Sequence, residues 1–299
     1  MRLDDEQESD NIEDMRGQGG GGFGLPGMGG GGLAFGGRGM GCGSLIIVGI
    51  LALVFGINPL SLLGGGGQVS APTEQIGQPQ YDEPARPTSE IDRFVAKVLG
   101  TTERTWSEVF AKEVGEAYRE PKLVLFSGSV GSACGAAEAA MGPFYCPADQ
   151  KVYLDQSFFD ELSRRFGAPG DFAAAYVIAH EVGHHIQTLL GISEQVSRLQ
   201  ARASRTEGNA LSVRLELQAD CLAGVWANRN QMLLEAGDVE EAMRAATAIG
   251  DDALQRAAQG VVVPESFTHG SSEQRTRWFM RGMTEGTIAA CDTFRAREL

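Results

Sequence analysis

Residues 171–187, DFAAAYVIAHEVGHHIQ, contain Ala179-His180-Glu181-Val182-Gly183-His184-His185, and the spacing of these histidines decides how the chain is read. His180 and His184 are four apart, so in a helix they stand one above the other on one face. Two imidazoles so placed take two corners of a tetrahedral Zn²⁺ site. Glu181 reaches the water at an open corner, as general base and not as ligand. The flanking residues favour the helix: Asp171 is an N-cap candidate, strong helix formers follow, and Gly191 supplies a stop. Ala175, Ala179, Val182, Ile186 and Leu189 recur at helical spacing as a buried stripe, with the two histidines on an adjacent face. His185 points about 100° away from His184 around the helix and is read as a supporting or surface histidine.

A catalytic zinc needs a third protein ligand. An extended motif with Gly and His at positions 187 and 190 is absent, because those positions hold Gln187 and Leu190. A carboxylate on a later helix is the remaining source. In residues 209–226, Leu211, Leu215, Leu222 and Trp226 form a core stripe, and Glu216 and Asp220 share the face beside it. Two carboxylates on a buried helix are costly unless they are paired or bind metal. That assigns Glu216 to zinc and Asp220 to the second nitrogen of a ligand histidine. The alternative is two acids on a solvated edge.

The 299 residues allow one good-sized domain plus appendages, and the net charge of −14 argues against a nucleic-acid partner. Residues 1–16 are short, mostly acidic and without a hydrophobic pattern, which reads as a solvated tail. Residues 17–43 hold sixteen glycines and continue it as a loose segment, so residues 1–43 form a disordered acidic, then glycine-rich tail. Residues 44–63, SLIIVGILALVFGINPLSLL, are uncharged and long enough to span a bilayer as a helix. Arg16 and Arg38 precede that stretch and the next positive charge is Arg86, a bias that puts the N-terminus in the cytoplasm and the rest of the chain outside, in the periplasm. Residues 64–88 are a Gly/Pro/Gln tether, and 89–299 the folded domain. Within it, apolar spacing predicts one helix from Ile91 and a second from Trp106, strands at 122–126 and 151–154, helices in 238–260, and a helix from Ser271 capped through Gln274. With that orientation Cys134 and Cys146 face an oxidising compartment and can close a short disulfide loop, free thiols being the alternative; Cys221 and Cys291 are a second possible pair.

The words ESDNIED at 8–14, GPFYCP at 142–147, VYLD at 152–155, FGAPGDFA at 166–173, AYVIAHEVGHHIQ at 175–187, ELQADC at 216–221 and SFTHGSSEQR at 266–275 together resemble the bacterial neutral zinc metallopeptidase family of membrane-anchored proteins. The E-x-x-x-D word is also similar to that of the wider glutamate-zinc peptidases, including membrane-bound prenyl-protein and heat-shock peptidases. The resemblance implies an α+β fold, a mostly helical zincin or gluzincin-like domain with a small sheet near 122–154 whose edge takes an extended peptide. It implies one catalytic Zn²⁺ on His180, His184 and Glu216, with Asp220 behind a histidine, and a membrane-anchored endopeptidase acting on peptides or proteins. The related peptidases carry a T-H-P word followed by an arginine, matched here by Thr268, His269 and Arg275 with Gly270 in place of the proline. His269, the one histidine outside the 180–185 cluster, is therefore the candidate to stabilise charge on a carbonyl oxygen. Two other classes compete: a catalytically silent zinc-containing binding module, and a hydrolase of a non-peptide amide in the cell envelope. An intact Glu181 argues against the first, since a structural site needs no base.

Overall fold

The structure, a computed structural model, describes residues 1–16, 89–164 and 166–299. The expectations for residues 17–43, for a span at 44–63 and for a tether at 64–88 lie outside the described residues. Among the described residues no helix is long and apolar enough to cross a membrane.

The described chain is α+β, with eight α-helices and two small sheets. Helix α1 (Glu90–Val109) starts at a capping box between Ser89 and Asp92 and runs directly into a π turn at Phe110–Val114. The two helices expected here are thus one. Nothing between Ile91 and Trp106 breaks the chain except Gly100, which a helix tolerates.

The strands are β1 (Ile12–Asp14), β2 (Lys122–Phe126), β3 (Ser129–Ser132), β4 (Gly135–Glu138), β5 (Phe144–Cys146) and β6 (Lys151–Asp155). The main sheet has the order β1-β2-β6-β5, with β1, β2 and β6 parallel and β5 antiparallel at one edge. Alternation along β2 and β6 splits the side chains. Leu123, Leu125, Val152 and Leu154 face the helices, whereas Val124, Phe126 and Tyr153 face a smaller cluster with Val130 and Ala137 of the β3–β4 hairpin. Both faces are covered, which is why these strands read as near-continuous apolar runs. A Cys134–Cys146 disulfide ties the hairpin tip to β5, and a Cys221–Cys291 disulfide ties the C-terminal turn to the helix bearing Glu216.

The helical layer holds α2 (Ser157–Arg164), α3 (Asp171–Leu189), α4 (Ile192–Gln200), α5 (Arg205–Arg229), α6 (Asp238–Ala248), α7 (Asp251–Gln259) and α8 (Ser272–Glu285). Helix α3 is buried along most of its length, and Asp171 is its first residue, the cap position being Gly170. Helix α5 packs on α3 on one side and on α8 on another.

Residues 1–16 are not a solvated tail. Met1, Leu3 and Ile12 are buried in the main core, and β1 pairs with β2 from Ile12↔Leu123 to Asp14↔Leu125. The Met1 α-ammonium donates to Asp171 at 2.7 Å and lies 3.2 and 3.4 Å from Glu235 and Asp238. The acids that suggested solvation have partners far along the chain: Glu13 lies between Lys122 and Lys151, and Glu6 meets Arg104. Three widely spaced apolar residues carry no period, so the segment's burial is decided by distant partners.

Substituting Ile12 by Asp buries an unpaired charge in this core and costs about 3 kcal/mol or more. For a domain of this size that lowers Tm by roughly 6–12 °C. Thermal unfolding of the purified full-length variant checks it; a solvated tail leaves Tm unchanged.

Candidate metal centre

His180 and His184 project from the middle of α3, and Glu216 from α5, at the point where these helices run closest. Gly183, between the histidines, permits the approach: a Cβ there would lie 3.0 Å from the carbonyl oxygen of Ala219 and 3.1 Å from its Cα. Across the contact, His180 Nε2 lies 3.3 Å from Glu216 Oε2, and His184 Nε2 lies 3.5 Å from Glu216 Oε1. One donor atom from each of the three residues falls within 4.8 Å of the others. Ligand atoms about 2.0–2.1 Å from a tetrahedral zinc stand roughly 3.4 Å apart, so the spacing suits that ion.

The other ring nitrogens are occupied. His180 Nδ1 is 2.8 Å from Asp220 Oδ1, and His184 Nδ1 is 2.9 Å from Gln187 Oε1. Gln187 is oriented by its amide nitrogen, which donates to the carbonyl of Leu215 at 2.6 Å and to Gln218 at 3.2 Å. An acceptor therefore faces each Nδ1, so that with the Nδ1 proton given to it, Nε2 is the nitrogen turned toward Glu216 and available to a metal. Asp220 is fully buried and also accepts from Tyr176 Oη at 2.5 Å and from Arg275 Nε and Nη2 at 2.8 and 2.9 Å. Burial raises its carboxyl, but Arg275 and His180 outweigh that and hold it down at about 2.

The acids of the site draw positive charge toward the imidazoles. Glu181, Glu216 and Asp220 line the site, with the Arg275 guanidinium on Asp220. Burial disfavours the charged form of His180, yet Asp220 and Glu216 push it up to about 10. A divalent cation at the two Nε2 atoms meets the same demand. Glu181 is 7% exposed, and burial raises its carboxyl above the usual range despite the two histidines.

His269 lies in the loop before α8, near enough to Glu216 for their charges to interact. Asp251, the first residue of α7, organises that loop: its Oδ2 accepts the backbone N–H groups of Thr268, His269 and Gly270 at 2.7, 2.7 and 3.0 Å, and its Oδ1 lies 3.2 Å from His269 Nδ1. Burial disfavours the charged ring, but Asp251, together with the Glu216 carboxylate, raises the pKa. Gly270 has φ +93 and gives its N–H to Asp251. Proline can do neither, so this loop differs from the T-H-P loop of the related peptidases.

The remaining expectations fare differently. His185 is buried and bonded elsewhere than to His180, His184 or Glu216: to Tyr145 Oη at 3.0 Å and to the carbonyl of Arg119 at 2.6 Å. It pins α3 to β5, so it is neither a surface residue nor a support for the centre. Arg275 stands behind Asp220. Gln187 and Asp251 escaped the sequence reading. Gln187 had a signal, its place three residues after His184 on one helix face, whereas nothing in sequence links Asp251 to His269. A further acidic group, Asp171, Asp238 and Glu241, lies at the Met1 ammonium.

The chain belongs to the family described as "putative neutral zinc metallopeptidase", whose model matches residues 1–294. Among its relatives, uncharacterized protein YpfJ of Escherichia coli K12 is 48% identical over 296 residues, covering 98% of this chain and 99% of that protein. Uncharacterized protein Rv2575 of Mycobacterium tuberculosis is 39% identical over 262 residues, covering 83% of this chain and 86% of that one. No solved structure matches this chain.

Because Gln187 fixes the tautomer of His184, Gln187→Ala should weaken zinc binding by roughly 10–100-fold. Competition against a chelator of known affinity measures it, with circular dichroism to show that the fold is kept. Unchanged affinity would remove Gln187 from the centre.

Proposed function

We propose that this protein is a zinc-dependent metalloendopeptidase of gluzincin-like architecture, with His180, His184 and Glu216 as the ligands of one Zn²⁺ and Glu181 as general base. The observation that carries the proposal is the pair of Nδ1-anchored imidazoles whose Nε2 atoms converge on Glu216, 3.3 and 3.5 Å away. When bound, zinc supplies Lewis acidity toward a scissile carbonyl and toward the attacking water. Glu181 takes the proton of that water and returns it to the leaving amine, a role suited to a carboxylate whose affinity for a proton burial has raised. His269, held by Asp251, directs its other ring nitrogen toward negative charge developing on the carbonyl oxygen. The substrate is a peptide or protein. The sheet edge at β5, which meets α3 through Tyr145 and His185, is where an extended segment would pair.

We also propose attachment to a membrane through residues 44–63, an uncharged and mostly apolar stretch. The two disulfides favour an oxidising compartment for the folded body.

Two sets of variants test the chemistry. Glu181→Gln should keep zinc and lose activity on a peptide library and on cell-envelope fractions, whereas Glu216→Ala should lose the metal; zinc content and turnover are measured in both. Full zinc occupancy in Glu216→Ala would assign the third ligand elsewhere, and an active Glu181→Gln would end the general-base assignment.

His269→Ala should lower kcat about a hundredfold, by analogy with loss of an oxyanion donor, and leave zinc in place. Asp251→Asn should reproduce part of that loss with little change in KM. A near-normal kcat in His269→Ala would end its assignment without touching the metal site.

A further inference from the structure

The chain on either side of residues 17–88 ends at one point of the folded body. Arg16 donates from Nη1 and Nη2 to the two carboxylate oxygens of Asp92 at 2.8 and 3.0 Å. Asp92 lies in the first turn of α1 and accepts the N–H of Ser89 at 3.1 Å. Residues 16 and 89 are thus held by the same carboxylate.

The contact is no isolated surface pair. Upstream of Arg16, β1 is the outer parallel strand of the main sheet, and Ile12 is 4% exposed. Lys97 of α1 donates to the carbonyls of Leu3 and Asp4, and Arg2 N donates to the carbonyl of Leu233. Residues 1–16 therefore touch α1, β2, β6, α3 and the turn before α6, and Met1, Leu3 and Ile12 belong to the same hydrophobic cluster as the helix that bears the histidines. The family match likewise begins at residue 1.

A chain that crosses a bilayer once between residues 17 and 88 carries these two parts on opposite faces of about 30 Å of hydrocarbon. It cannot then form β1–β2 or the Arg16–Asp92 pair. We infer that residues 1–16 lie in the same compartment as the histidine–glutamate centre, so that the intervening chain crosses a membrane an even number of times, zero included. Residues 44–63 are long enough for one crossing, and a second would need about 20 further apolar residues that residues 17–88 do not contain. The body is attached from one face, and no polypeptide is threaded through the bilayer between its two parts. This replaces the arrangement expected from the positive charges, with the N-terminus inside and the domain outside. Arg16, one of the two arginines behind that expectation, is committed to Asp14 and Asp92.

Compartment-specific thiol labelling of the full-length chain tests the inference without reference to catalysis. In a Cys42→Ser background the other four cysteines are paired, and labelling of one introduced cysteine is read above that parent, which controls for native thiols in a reducing compartment. Glu8→Cys reports on residues 1–16 and Glu108→Cys on α1, both at exposed positions. Each variant is made in a bacterial host, and spheroplasts are treated with a membrane-impermeant maleimide before and after lysis. The expected result is the same behaviour at both sites, either both labelled before lysis or both only after it. Labelling of one site before lysis and of the other only after lysis would overturn the inference. Thermal unfolding of each purified variant, compared with the parent, shows that the reporters have left the fold intact.

Discussion

Asp220 is the point on which this structure turns. Its carboxylate has no solvent exposure, and it accepts from His180 and Tyr176 of α3 and from Arg275 of α8 while itself belonging to α5. Three helices are thus joined at one buried charge. Breaking such a pair by removing a partner typically costs about 3–5 kcal/mol, because the remaining charge has no answer. The bidentate guanidinium adds a directional tie to the close α5–α8 packing that Gly224 and Gly282 permit. The arrangement also orients the ring of His180, so the contact that joins the helices is the one that turns Nε2 toward Glu216.

Gln187 does for His184 what Asp220 does for His180, with a neutral group. The difference in charge matters. An anion behind one imidazole makes that nitrogen the stronger donor, while the amide behind the other fixes geometry without adding negative charge to a site that already holds Glu181 and Glu216. Asp251 applies the same device a third time, gathering three backbone N–H groups and the His269 ring onto one carboxylate. Three positioning groups on three helices thus orient side chains of α3 and of the loop before α8.

What could be read in advance follows from the range of each interaction. The four-residue spacings of His180 with His184 and of Glu216 with Asp220 are properties of a single helix, so the sequence displays them directly. The capping box at Ser271 and Gln274 is equally local and is present. The pairing of Arg16 with Asp92, of Glu13 with two lysines, and of Asp251 with His269 joins residues that no local period relates. Residues 1–16 looked like a solvated tail because their acids were counted without those partners. His185 was misplaced for a similar reason: its ring is satisfied by Tyr145 and by a backbone carbonyl in a loop, and neither leaves a trace near position 185.

The outer position of β1 also has a consequence in time. Ile12 meets Leu123, more than a hundred residues later in the chain. At typical synthesis rates of about 5–20 residues per second, the N-terminal strand emerges on the order of ten seconds before its partner exists. Pairing across such a separation is slow in its own right, since the loop must close before any contact rewards it. During that interval the first strand has nothing to pair with, and afterwards the edge of Lys122–Phe126 stays open, an apolar template for any other extended chain nearby. The newborn protein is therefore most vulnerable to misassociation at the sheet edge farthest from β5, and docking of its own first residues is what ends that exposure.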